Sequence, residues 1–258
     1  MEETTQTTVT SLYDGVRGLA IKILNRIDRT DAYLDKLLEI EIKNSELSGV
    51  DKALLFEIVH GVIRWLGRID WILNGFYKGQ FSKAIPNLKN GLRVALYQIL
   101  FLNNVPHYAA VNEAVEFVKR IRGDRFSGFV NAVLRNIIRT IDGIHYPDPN
   151  EDRAQYLAVY YSHPLWLVKR WLSRFGSDET EKMLVANNEI PGLTLRINKL
   201  KISSAEFISL LEKQNINFHG SSYIDHFVKV KSLSGISQMN IFQQGYFSIQ
   251  DESAALPV

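Results

Sequence analysis

The sequence predicts a mainly helical protein that closes with a small α+β module, and three observations carry that expectation. Apolar residues recur at helical spacing through roughly the first 140 residues. His145-Tyr-Pro-Asp-Pro149 then breaks the rhythm, because two prolines in three residues cannot continue a helix. After Pro191 the period shortens to the alternation of strands.

The helical part reads element by element. Val16, Leu19, Ala20, Ile23, Leu24 and Ile27 follow the i, i+3, i+4 spacing of one buried face, with Lys22, Asn25, Arg26 and Arg29 opposite it. Further helices are expected over 34–43, over 51–61 with Asp51 as N-cap, and over 64–76. The next spans 88–101 and is stopped by Pro106. Another covers 109–120, and the strongest period, from Phe126 through Val130, Val133, Leu134 and Ile137 to Ile141, marks the last helix. On its polar side Asn131, Arg135 and Arg139 stack at i, i+4, i+8.

Residues 1–12 read as a disordered tail, 13–145 as the helical domain, 146–190 as a helical linker and 191–258 as the α+β module. Within the linker Pro164 opens a helix that Gly176 closes, and a shorter helix follows to about Asn187. In the module, 194–198 alternates like a strand, and Ser203 with Glu206 forms a capping box for a helix to about Gln214. Strands are expected at Phe218 and at 227–230, a short helix between Ser234 and Met239, and a last strand at 246–249. The order β-α-β-β-α-β is that of a ferredoxin-like fold.

Composition closes several routes to function. The 258 residues contain no cysteine, which removes disulfides, thiolate metal sites and a cysteine nucleophile from this chain. That absence suits a reducing, cytoplasmic compartment. No run approaches the roughly 20 apolar residues of a membrane span, and the acidic, Thr-rich N-terminus lacks the apolar core of a secretory signal. His60, His107, His145, His163, His219 and His226 are not spaced to share a helix face, so no metal site is expected. No phosphate-cradling glycine loop or nucleophile elbow occurs.

The net charge of +2 conceals an uneven distribution. Between His60 and Arg139 twelve Lys/Arg stand against four Asp/Glu, a local balance of +8, whereas Met1 to Val59 carries −4. Such a basic middle fits a polyanion partner, although solvated helix faces give the same count. The cations form stripes. Lys22, Arg26 and Arg29 lie on the first helix, Arg135 and Arg139 on the last domain helix, and Arg64 with Arg68 one turn apart. Lys119, Arg120, Arg122 and Arg125 crowd one junction, where Glu116 can pair with Lys119 or Arg120. Clusters of this kind bind phosphates by counterion release without reading sequence. Trp65, Trp71, Trp166 and Trp171 sit among Leu and Ile at helical spacing and are expected in the core.

Three segments resemble the NusB-type RNA-binding domain: Leu92-Arg-Val-Ala-Leu-Tyr-Gln-Ile-Leu100, Asn104-Val-Pro-His-Tyr-Ala-Ala-Val-Asn-Glu-Ala-Val115 and Phe129-Val-Asn-Ala-Val-Leu-Arg135. Gly61-Val-Ile-Arg64 also fits it. His163-Pro-Leu-Trp166, Leu195-Arg-Ile-Asn198 and Gly245-Tyr-Phe-Ser-Ile-Gln-Asp-Glu-Ser253 resemble the front half of the Sun/Fmu-type small-subunit ribosomal RNA cytosine-5 methyltransferases. The resemblance implies a non-catalytic targeting region whose cationic stripes and junction meet ribosomal RNA. It implies further a catalytic domain in cis that binds S-adenosylmethionine and uses two cysteines, with Arg196, Asn198, Gln250 and Asp251 facing it. That domain is expected to be missing from these residues, with no cofactor and no catalytic residue here. A stand-alone NusB-like protein of antitermination or ribosome assembly, and a helical protein-interaction module, are the alternatives.

Overall fold

The computed structural model describes residues 12–30, 32–230, 233 and 235–256. The expected disordered tail, apart from Leu12, and the expected helix start at Ser234 lie outside the described residues. The chain forms two compact units, one reaching to Asn188 and the other beginning at Glu189. No helix among the described residues is long and apolar enough to cross a membrane.

The first unit contains α1 Gly15–Ile27, α2 Leu34–Lys43, α3 Gly49–Arg64, α4 Leu66–Phe76, α5 Pro86–Phe101, α6 His107–Arg122 and α7 Asp124–Arg139. Most follow the apolar spacing within two or three residues. The side-chain cap of α3 is Ser48, whose hydroxyl accepts the Asp51 backbone N–H, so Asp51 stands in the first turn rather than at the cap. Helix α5 stops at Phe101, ahead of Pro106, which instead precedes the first residue of α6.

Helix α5 is the axis of the unit. Leu88 and every residue from Asn90 to Ile99 are buried, and α5 packs against α1, α3, α4, α6 and α7. A helix buried on all sides is normally apolar, yet α5 brings Asn90, Arg93 and Gln98 inside. Arg93 resolves the conflict by meeting two carboxylates. Its Nε and Nη2 donate to Asp70 on α4 at 2.7 and 2.6 Å, and Nη1 donates to Asp28 at the end of α1 at 3.1 Å. Lys89 adds a second cation 3.1 Å from Asp28. Asn90 donates to Asn25 at 2.9 Å, and Asn25 donates to Asn87. Asn25 is therefore interior, on the opposite side of α1 from the one its polarity suggests.

Close backbone approach fixes α3 on α5. A Cβ on Gly61 would lie 1.9 Å from the Tyr97 ring, so only glycine lets that ring lie against α3. The Tyr97 hydroxyl donates to Glu57 at 2.6 Å. Burial, followed by that bond, holds the phenol well above its ordinary pKa.

The segment expected to link two domains belongs to the first unit. It comprises α8 Arg153–Tyr160 and α9 Leu165–Asn188, the latter bent at Gly176 with φ 78°, where the sequence places a helix end. Leu157, Ala158, Val168 and Leu184 give the segment a small core of its own. It is held to α4 because the Ser162 hydroxyl accepts the Gly67 backbone N–H at 2.8 Å. Of the tryptophans expected in the core, Trp71 and Trp166 are exposed, and Trp71 donates its indole N–H to the His145 carbonyl at 3.0 Å. Trp65 stacks on Phe101 at 4.7 Å.

The second unit contains β1 Leu193–Ile197, α10 Ser204–Lys213, β2 Phe218–Gly220, β3 Phe227–Val230, α11 Asn240–Gln243 and β4 Phe247–Ile249. The sheet order is β2-β3-β1-β4 with every pair antiparallel, the split βαβ arrangement of a ferredoxin-like fold. Leu195, Ile197, Val228, Val230 and Phe247 pack with Phe207 and Leu211 of α10 and Ile241 of α11. The Ser203–Glu206 capping box forms as expected.

Replacing Arg93 by Met should cost about 2–3 kcal/mol, because it leaves two partly exposed carboxylates without the charged hydrogen-bond donor they share. Urea melts of R93M and wild type measure this; unchanged stability in R93M argues against the clamp.

Candidate nucleic-acid interface

The candidate interface is built on the hairpin of α6 and α7. Gly123, at φ 76°, reverses the chain between them, a left-handed turn that suits glycine. Helix α7 buries Val130, Val133, Leu134 and Ile137 and leaves the other side open. On that open side are Arg125, Gly128, Ala132, Arg135, Asn136 and Arg139, all exposed. At 100° per residue, Arg125, Arg135 and Arg139 fall within about 80° of one another and extend over roughly 21 Å of helix. Asp124 opens α7 on this side and pairs with Lys119; no further carboxylate occurs before Asp142, so the face is cationic from Arg125 onward.

How the arginines are held matters as much as their number. Arg135 Nε donates to Asn131 at 2.9 Å, and Arg139 donates to Asn136 at 3.3 Å. Both partners are neutral amides, which orient a guanidinium without cancelling its charge. Beside them, at the start of α6, stand His107 and Tyr108, and Tyr108 is 72% exposed. His107, Tyr108, Val111, Ala132, Arg135, Ile138 and Arg139 line a groove of about 540 Å³. Sequence reasoning missed His107 and Tyr108 as site residues. The signal lay in phase, since Tyr108 falls outside the buried stripe of Ala110, Val111, Ala114, Phe117 and Val118.

The junction cluster has a structural role as well. Lys119, Arg120 and Arg122 occupy the last turn of α6, where cations meet the negative end of the helix dipole. Lys119 pairs with Asp124 at 3.0 Å rather than with Glu116, and its bond to Asp124 raises the ammonium pKa. Arg122 and Arg125 are exposed and make no ion pair among the described residues.

The remaining sequence candidates divide. On α1, Lys22 pairs with Glu41 of α2 at 2.8 Å, while Arg26 and Arg29 are exposed. Arg64 is half-buried at the end of α3, where its charge acts on His60. Burial is the chief reason the His60 pKa is lowered, with Arg64 adding to it against Asp35 and Glu57. Arg68 turns inward. Its guanidinium lies 4.3 Å from the Tyr160 ring centroid, 5.2 Å from Tyr146, 5.7 Å from Trp65 and 5.8 Å from Phe101. Nε also donates to the Tyr146 hydroxyl at 2.9 Å. This aromatic cage spends Arg68 on packing.

In the second unit, three of the four residues expected to face a further domain serve its own fold. Asn198 donates to the Gly245 carbonyl at 2.9 Å, and its side-chain oxygen accepts the Leu200 N–H. Asp251 caps a 3-10 turn by accepting from the Ser253 backbone N–H at 2.8 Å, and its bonds with Ser253 lower its pKa. Gln250 accepts from Arg196 at 3.0 Å. No group of three or more His, Asp or Glu able to hold a metal occurs among the described residues.

Comparison with known proteins matches two successive parts of the chain, the second match beginning within the first unit. Residues 15–139 match the NusB family, and residues 163–236 match the Methyltr_RsmF/B-like, ferredoxin-like domain. The chain joins a NusB-family domain to an RsmF/B-type ferredoxin-like domain. It is 37% identical over 243 residues to the probable ribosomal RNA small subunit methyltransferase B of Bacillus subtilis (strain 168), a match covering 93% of this chain and 53% of that protein. It is 30% identical over 240 residues to the ribosomal RNA small subunit methyltransferase B of Escherichia coli O1:K1 / APEC, with the same coverage of both. The chain thus spans about half the length of the curated relatives it matches. The crystal structure of PH0851 shares the fold, with a TM-score of 0.65 at 21% identity, covering 95% of this chain and 54% of that one.

The cage assigns Arg68 of the NusB-type domain to stability. R68A should therefore lower unfolding free energy by about 2 kcal/mol, and R68K should recover little, since a planar guanidinium stacks where an ammonium does not. Denaturant midpoints check this; wild-type stability in R68A would remove the cage from the fold.

Proposed function

We propose that this chain is the RNA-binding, targeting region of a small-subunit ribosomal RNA cytosine-5 methyltransferase. The observation that carries the proposal is the face of α7 beyond Asp124, where no further carboxylate occurs and Arg135 and Arg139 are oriented by neutral amides beside the exposed Tyr108. A surface of fixed, uncancelled cations gains free energy from phosphates by releasing their counterions. An exposed ring in the same groove offers a base a stacking partner of any sequence. Arg122 and Arg125 extend the cationic track along the hairpin, and Arg26 and Arg29 add a smaller patch on α1.

The Bacillus subtilis and Escherichia coli relatives support the ribosomal RNA part of the reading. For the whole protein the proposed activity is methyl transfer from S-adenosylmethionine to C5 of a cytosine. That chemistry needs covalent activation at C6 by a thiolate, because C5 is not nucleophilic in the aromatic ring. No cysteine is present in these 258 residues, so they are assigned binding and positioning, with the catalytic groups lying elsewhere in the protein. The RsmF/B-type unit favours this over a free-standing antitermination factor, for which a NusB-type domain alone suffices. Bacterial relatives of this kind support a cytoplasmic setting.

Fluorescence anisotropy with a single-stranded ribosomal RNA oligonucleotide across a salt series tests the proposal. R135Q/R139Q should reduce the magnitude of the log–log salt slope by about 1.4, at roughly 0.7 for each single-stranded phosphate no longer neutralised. Y108A should weaken binding by about 1–3 kcal/mol while leaving the slope unchanged. A wild-type slope near zero would falsify RNA binding, and an unchanged slope in R135Q/R139Q would move the footprint elsewhere.

A further inference from the structure

The second unit carries a cationic groove that the α7 interface does not use. Between Glu189 and Glu206 the sequence has no carboxylate, while Arg196, Lys199 and Lys201 fall within six residues at the end of β1. The unit is close to neutral from Pro191 onward, with six Lys/Arg against five Asp/Glu, so half of its cations gather at one strand end. There Arg196, Asn198, Lys199, His226, Gly245 and Ser248 help to line a groove of about 550 Å³.

Strand pairing places the donors together. Arg196 stands opposite Ser248 in the β1–β4 register, so the guanidinium and the hydroxyl share one face of the sheet on neighbouring strands. Arg196 donates to the neutral Gln250 at 3.0 Å, which fixes the guanidinium and leaves its charge uncancelled, as Asn131 does for Arg135. Asn198 ties the loop to Gly245 and so holds Lys199 at the rim. Asp225 is the carboxylate that meets this set. It lies 3.1 Å from Lys199 and 3.2 Å from the His226 ring, and its bonds to His226 and Lys199 hold its pKa below the usual range. One guanidinium and one ammonium against one carboxylate leave a net cation beside a hydroxyl, the donor set of a phosphate site.

We propose that the groove formed by Arg196, Lys199 and Ser248 holds a backbone phosphate of the RNA, giving the ferredoxin-like unit its own contact with the strand. This rests on the reading of the chain as RNA-binding. It gives Arg196 a ligand other than the protein domain that the sequence suggests.

The full chain tests it with the same single-stranded oligonucleotide. R196Q/K199Q should lower affinity several-fold and reduce the salt slope by about 0.7–1.4, one or two phosphates' worth, additively with R135Q/R139Q and with unchanged melting. D225N should act in the opposite sense, releasing Lys199, tightening binding and steepening the slope, a gain that a merely structural Asp225 would not produce. Unchanged affinity and slope in both variants overturn the inference while the α7 reading stands, and return the groove to a domain-facing role. If wild type binds no RNA, the function proposal fails on its own, and backbone NMR with sodium pyrophosphate decides the groove. Shifts at Arg196, Lys199 and Ser248 that vanish in R196Q keep a phosphate site there; their absence removes it.

Discussion

The first unit depends on a buried cation held by two carboxylates from different helices. Arg93 stands near the middle of a helix with no solvent-facing side, and Asp28 and Asp70 reach it from α1 and α4. Apolar packing around α5 is non-directional and would tolerate sliding or rotation of its neighbours. A bidentate guanidinium–carboxylate pair tolerates neither, because both hydrogen bonds fail together when the geometry shifts. The net stabilisation of such a pair over an apolar substitute is small. Its effect is to set register, and the Asn90–Asn25–Asn87 chain extends the same restriction toward the start of α5.

This arrangement sorts the basic residues of the middle segment into two populations. Arg93 and Lys89 are neutralised by carboxylates, and Arg68 is absorbed by ring faces. What remains on the outside is concentrated on the α6–α7 hairpin. The interior thus takes up part of the acidic excess of the early residues through Asp28, and the surface keeps an unbalanced positive face. The core and the candidate interface are two outcomes of one partition of charge.

Most of the architecture is legible in the sequence because helix and strand periods are local properties. The α7 stripe, the Ser203–Glu206 box and the bend at Gly176 require only neighbouring residues to be read. The site is legible in part. Arg135 and Arg139 stand out because they lie on one helix four residues apart with no acid nearby. Arg68 and Asn25 look equally exposed in sequence, but their partners come from 78 and 65 residues away, and no window along the chain contains them. The linker escapes a sequence reading for the same reason. Pro147 and Pro149 do keep helices out of their stretch, yet the docking of α8 on α4 is made by Ser162 and the tyrosines around Arg68, a tertiary choice that prolines do not report. Asn198 and Asp251 have the polarity of outward-facing residues, but both serve the local backbone.

The same partition explains why amides recur beside the exposed arginines. An arginine on a bare helix face loses side-chain entropy on meeting a phosphate, and that loss subtracts from affinity. A carboxylate partner would pre-order the side chain but would have to be displaced by the incoming anion. Asn131, Asn136 and Gln250 supply the order without the competing charge. Lys22 and Lys199 show the opposite solution, each tied to a carboxylate, and each should contribute less to binding than its exposure suggests. Counting Lys and Arg therefore overestimates a polyanion surface; the chemistry of each partner ranks the residues. On that ranking Arg135 and Arg139 lead in the NusB-type domain and Arg196 in the ferredoxin-like unit.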